Sequence, residues 1–137
     1  MFQRIKVPTF VIVIATLTSI IATVLGLWAQ LSPATHPGPV FVDAAHSVIL
    51  SWGARELGQG LSGLLVVLFL RDARAFVVVL SSAWVREILD FVDLFRVADS
   101  PTRLFFVVGT SVVLHAIALY LSVRAIQKHE QLTESSA

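Results

Sequence analysis

Two stretches put ionisable residues into an otherwise apolar chain. They are RELGQGLS (residues 55–62), with Arg55 and Glu56, and REILDFVD (86–93), with Arg86, Glu87, Asp90 and Asp93. A carboxyl group in apolar surroundings can give or take a proton, and a neighbouring guanidinium can hold it in place. At about 100° per residue, Trp52, Arg55, Glu56, Gln59, Ser62 and Gly63 share one face of a helix. Arg86, Glu87, Asp90 and Asp93 share one face of another, which leaves Trp84, Ile88, Phe91 and Val92 for its outward side. His115, with Ser111 one turn before it, supplies a third polar element, and Ser19 and Thr23 a fourth.

Four carboxylates then face two arginines. Like charges crowded in a low dielectric do not all ionise freely, so one of Glu56, Glu87, Asp90 and Asp93 is expected to hold a proton. Asp93, near a helix end, is the most easily hydrated, so Glu56 and Glu87 are the better proton donors. The candidate acid–base groups are Glu56, Glu87, Asp90 and His115. Trp52, Arg55, Gln59, Arg86, Asp93 and Ser111 are the candidates for holding a ligand. Each has a plainer reading. Arg–carboxylate pairs can fix helix register, and a lone interior His is more often hydrogen-bonded structure than a catalyst. Ala54, Gly58 and Ser62 form a small-residue row that reads as a close helix contact. Trp28 and Trp52 also suit the membrane interface.

The elements that carry these residues follow from composition. The chain has 137 residues, is 56% hydrophobic and has a mean hydropathy of +0.84. That points to a single integral membrane domain. A net charge of +1 offers no basic face for nucleic acid, and the absence of Cys removes disulfides, thiolate metal sites and Cys nucleophiles. No dinucleotide, P-loop, GxSxG or HExxH motif is present, and no cofactor is implied. His36 and His46 lack further ligands for a metal.

Four apolar runs, about 7–30, 47–70, 75–97 and 104–125, reach the ~20 residues needed to cross a bilayer. In lipid they must be helices. The expected fold is an all-α, up-down-up-down four-helix membrane bundle over residues 1–126, with a polar tail from Gln127 that frays. The first run exceeds the ~7–15 apolar residues of a signal core, so it is expected to remain as a helix. SPATHPGP (32–39) breaks the chain, RDAR (71–74) is a tight basic turn, and Ser100-Pro101 opens the last helix. Arg4, Lys6, Arg71, Arg74, Arg124 and Lys128 fall on one side, and Arg96 and Arg103 on the other. The excess of positive charge places both termini in the cytoplasm. Folding about RDAR sets Arg55 opposite Asp90, Gln59 opposite Arg86 and Trp52 opposite Asp93. The polar set then gathers in the outer half of the bundle as a pocket.

The run SWGARELGQGLSGLLVVLFLRDARA (51–75) resembles small bacterial four-helix membrane proteins classed as domains of unknown function. Their second helix carries a Gly-x-Arg-(Asp/Glu)-Leu-x-x-Gly motif, met here by Gly53, Arg55, Glu56, Leu57 and Gly60. The resemblance covers about 25 residues. It implies a four-helix protein of the bacterial inner membrane and no particular activity. In logic alone, the intramembrane carboxyls are similar to those of membrane isomerases and terpenoid cyclases, whose motifs the chain lacks.

Three function classes stay open. The first is a membrane protein that binds a lipophilic small molecule and performs acid–base chemistry on it, such as isomerisation, cyclisation or epoxide opening. The second is a proton- or cation-coupled transporter working as a homodimer. The third is a structural or accessory membrane protein whose charges bind helices together. Excess acid over arginine argues against charges that serve as glue alone, and the one-sided pocket without a second gate argues against transport.

Overall fold

A computed structural model describes residues 4–35, 46–97 and 108–135, the side chains of 46–48 and 93–97 excepted. The described residues form four α-helices and no strand: α1 Thr9–Leu31, α2 His46–Leu65, α3 Ala73–Val97 and α4 Thr110–Glu134. A 3-10 turn, Pro33–Thr35, follows α1, and a π turn, Val66–Leu70, extends α2. The spans Thr9–Leu31, Ile49–Leu70 and Thr110–Glu134 are long and apolar enough to cross a membrane. Helix α3 is as long as α4 but carries Arg86, Glu87 and Asp90. The hydroxyls of Thr16, Thr18, Thr23, Ser62 and Ser122 each donate to the carbonyl four residues back. A hydroxyl bonded this way satisfies itself without water.

Helix α4 continues through Glu134, so the segment from Gln127 is a helical extension and not the frayed tail expected. With 25 residues and a polar last third, it rises ~1.5 Å per residue past the apolar part of its own span. Residues 98–107, which include Pro101 and Arg103, lie outside the described residues. So does the expected break at 36–39, with His36.

Helix α1 packs along α2, and α3 along α4; contacts between these two pairs are sparser. On α1 the buried stripe is Ala15, Ser19, Ala22, Gly26 and Ala29. On α2 it is Gly53, Glu56, Gly60 and Gly63. Both rows alternate steps of three and four, the period of two helices packed along their length. The fit is close. A Cβ on Gly26 would lie 2.5 Å from the Leu57 amide nitrogen and 2.8 Å from the Gly53 carbonyl oxygen. Small residues let membrane helices approach in this way. The contacts pair Gly26 with Gly53 and Ser19 with Gly63, in opposite order along the two helices.

The row Ala54, Gly58 and Ser62 is therefore not the close contact. All three are exposed, and the space where a Gly58 side chain would stand is open. The contact row lies about 100° round the helix, where glycines alternate with Glu56.

One end of the bundle is solid. Ile5, Val7, Val11, Ile14, Ala15, Val66, Val67, Ala73, Phe76, Leu80 and Ala118 form a buried apolar cluster drawn from α1, α3, α4, the π turn that extends α2 and the segment before α1. Asp72 clasps this end. Its Oδ1 accepts the Arg74 amide (2.9 Å) and so caps α3. Its Oδ2 accepts the Ile5 amide (3.0 Å), while the Ala73 amide donates to the Ile5 carbonyl (3.2 Å). Arg71 turns the chain with φ +46°, a left-handed conformation uncommon for a residue with a Cβ. Its Nε donates to the Val67 carbonyl at 3.1 Å, which satisfies an otherwise open end of the π turn.

Candidate functional site

The other half of the bundle is hollow. A cavity of about 320 Å³ stands on the apolar core, with Ala15 and Leu80 belonging to both. All four helices line it. Helix α1 supplies Thr18, Ser19 and Ala22, α2 supplies Trp52, Glu56 and Gln59, α3 supplies Ala83, Arg86, Glu87 and Asp90, and α4 supplies Ser111 and His115. The void exists because the inward positions here are small: Ala15, Ala22 and Ala83 stand where larger side chains would fill the centre.

Arg86 is the hub of the charges. Its Nη1 lies 3.1 Å from Glu56 Oε1, its Nη2 is 2.5 Å from Glu87 Oε1, and its Nε is 3.9 Å from Asp90 Oδ2. The contact to Glu87, the next residue, is a directed hydrogen bond. The one to Glu56 is an ion pair by distance only, because Nη1 makes no directed hydrogen bond among the described residues. Arg86 Nε and Trp84 Nε1 are likewise buried without a hydrogen-bond partner there. Arg55 reaches across to Asp90, its Nη2 at 2.8 and 3.1 Å from the two carboxylate oxygens.

Burial separates the two arginines. The Arg55 side chain is 49% exposed, while that of Arg86 is 12% exposed and that of Glu56 only 7%. The expected pairing of Arg55 with Asp90 is present, and Arg86 takes Glu56. Gln59 does not face Arg86; its Nε2 donates to the Val79 carbonyl at 3.4 Å, one and a half to two turns earlier on α3. The side chain of Asp93 lies outside the described residues, and with it the pairing to Trp52. Within the described set, three carboxylates (Glu56, Glu87, Asp90) meet two guanidiniums, an excess of one negative charge when all are ionised.

His115 is 3% exposed and lines the cavity. Its Nδ1 lies 2.9 Å from the Ser111 carbonyl oxygen and 3.3 Å from Ser111 Oγ. A carbonyl only accepts, so Nδ1 carries the hydrogen, and in a neutral ring Nε2 is then the acceptor.

Several features lay beyond the sequence reading. The outward face of α3 is Val78, Val85, Leu89 and Val92, while Trp84, Ile88 and Phe91 are half-buried. The expected face was about one residue out of phase, with only Val92 in common. On α2, Ser62 is exposed and Gly63 packs on Ser19, so neither joins the cavity. Thr23 donates to the Ser19 carbonyl and is not part of the lining. The alanines that shape the void were missed. The signal for two of them, Ala15 and Ala22, was present in the sequence as a spacing of seven along α1.

Compared with protein-family models, with curated proteins and with solved structures, the chain matches none.

Proposed function

We propose that this protein is a multi-pass protein of the bacterial inner membrane that binds a lipophilic small molecule in the central cavity. In this reading all four helices cross the bilayer, up-down-up-down, with both termini cytoplasmic. Helix α3 crosses with its charges turned inward, as intramembrane ionisable residues do by default. Glu56 and His115 exchange a proton with the ligand, and Arg86 and Arg55 hold Glu87 and Asp90 in place.

One observation carries this reading: Glu56, 7% exposed, lines a 320 Å³ cavity and meets Arg86 Nη1 at 3.1 Å without a directed hydrogen bond from that nitrogen. A carboxyl kept only as register glue would be saturated by its arginine. The cavity volume falls at the low end of the ~300–1,000 Å³ typical of small-molecule sites. The apolar core beneath it favours this reading over a transporter, since a continuous water path would have to cross that core.

The test is Glu56→Gln, which keeps shape and loses proton exchange. The variant is expected to fold, with a melting temperature in detergent near that of the parent, and to lose turnover or the pH dependence of ligand binding. Early melting of the variant, with no ligand bound by the parent, would favour the structural reading.

A further inference from the structure

We infer that the ligand of the central cavity carries a protonated amine on a short apolar body. The inference rests on the reading of that cavity as a ligand site, and adds the chemistry of the ligand's head. It follows from which hydrogen-bonding atoms the cavity offers. The donors without partners, Arg86 Nε and Nη1 and Trp84 Nε1, are sealed from solvent by the protein. A ligand in the cavity does not meet them. Gln59, Ser19 and Ser111 can meet it as donor or acceptor, while Glu56 and His115 present acceptors. Glu56 lines the cavity, and its carboxylate meets Arg86 Nη1 by an undirected contact at 3.1 Å. His115 lines it with Nδ1 committed to the Ser111 carbonyl, which in the neutral ring leaves Nε2 as an acceptor.

A carboxylate and an imidazole acceptor select a donor. An ammonium offers three N–H groups and no acceptor. A carboxylate offers only acceptors, and an alcohol one donor with its oxygen lone pairs. Charge points the same way: with Glu56, Glu87 and Asp90 all ionised, three carboxylates outnumber the two guanidiniums they meet, and a bound cation would take the place of the proton otherwise expected on one of them. A cationic head balances that excess, whereas an anionic head doubles it in a setting where charge is poorly screened. Ile21, Leu25, Val79 and Val108 also line the cavity and suit a hydrocarbon body.

The experiment uses the full chain in lipid nanodiscs and three probes of one length: octylamine, octan-1-ol and octanoate. Binding is measured by titration calorimetry against empty nanodiscs. Octylamine is expected to bind at least about tenfold more tightly than octan-1-ol, with octanoate the weakest. In Glu56→Gln the advantage of the amine is expected to shrink to about threefold or less, while octan-1-ol still binds. If that variant does not fold, His115→Gln takes its place with the same expectation, and the parent's ranking already decides. Equal binding of amine and alcohol, or tightest binding of octanoate, overturns the amine and leaves the cavity reading standing. No binding of any probe overturns both.

Discussion

Arg55 on α2 grips Asp90 on α3 with one nitrogen, Nη2 standing 2.8 and 3.1 Å from the two carboxylate oxygens. A few residues away on the same pair of helices, Arg86 and Glu56 form a second contact of opposite polarity, with the arginine now on α3. The first pair is half open and the second is enclosed, so their energetics should differ.

Arg55→Ala and Asp90→Asn are expected to show a coupling of about 0.5–1 kcal/mol, because Arg55 is half exposed and its charge is partly screened. Arg86→Ala strands buried carboxylates and is expected to cost about 3–5 kcal/mol. Thermal or denaturant unfolding in a fixed detergent, run on both sets, measures the contrast. Equal costs would mean that burial does not separate the two pairs.

The two glycine rows of α2 give a second comparison. Gly26→Ala drives a methyl into the backbone of α2, and Gly53→Ala one into α1. Neither neighbour can rotate away, so a loss of about 1–3 kcal/mol is expected for each. Gly58→Ala meets open space and is expected to be neutral or stabilising by up to about 1 kcal/mol through helix propensity. Melting temperatures of the three variants are the readout. A Gly58→Ala variant as damaged as the other two would place a close contact on the exposed row.

Asp72→Ala removes the acceptor for two backbone amides, Ile5 and Arg74. A cost of about 1–3 kcal/mol is expected, and it should be local. Hydrogen exchange should speed up at residues 4–8 and at the start of α3 while the α1–α2 contact keeps its protection. Uniform loss of protection would show that the clasp holds the whole bundle.

Ala83→Leu probes the cavity without touching a charge. Ala83 lines the void, and the void has room for the added carbons. The variant is expected to remain folded and to lose ligand binding by at least about tenfold. Retained binding in a folded variant would put the ligand elsewhere.

Orientation in the membrane is tested at Ser32 and Gln131. In Ser32→Cys a membrane-impermeant thiol reagent is expected to label from outside, and in Gln131→Cys only after permeabilisation. The reverse pattern would invert the topology that the basic residues suggest.

Pairing across the α2–α3 turn was legible because helix period and a short turn leave few registers, and Arg55 needs a partner wherever it lands. Phase was harder. The sequence offers two small-residue rows on α2, Ala54/Gly58/Ser62 and Gly53/Gly60/Gly63, and periodicity alone does not choose between them. The choice is made by α1, whose Ser19, Thr23 and Gly26 meet the second row. The outward face of α3 was missed for the same reason: a one-residue error turns a helix by ~100°. The π turn at Val66–Leu70 was invisible, since its residues are as apolar as their neighbours. The cavity was partly legible from the polar residues that border it. Its volume was not, because empty space comes from alanines on three-dimensional neighbours and not from any one segment.

A bundle solid at one end and hollow at the other behaves as a lever with its fulcrum in place. The fulcrum is the apolar cluster around Phe76, tied down by the bonds from Asp72 to Ile5 and Arg74. If the α1–α2 and α3–α4 hairpins swing apart, displacement grows with distance from that point. Arg55–Asp90, the ion pair furthest from it, would then part first, and Glu56–Arg86 a turn later. The order in which those contacts break is thus set by leverage and not by their strengths. The weaker, more open pair is the latch, and the enclosed pair is guarded behind it.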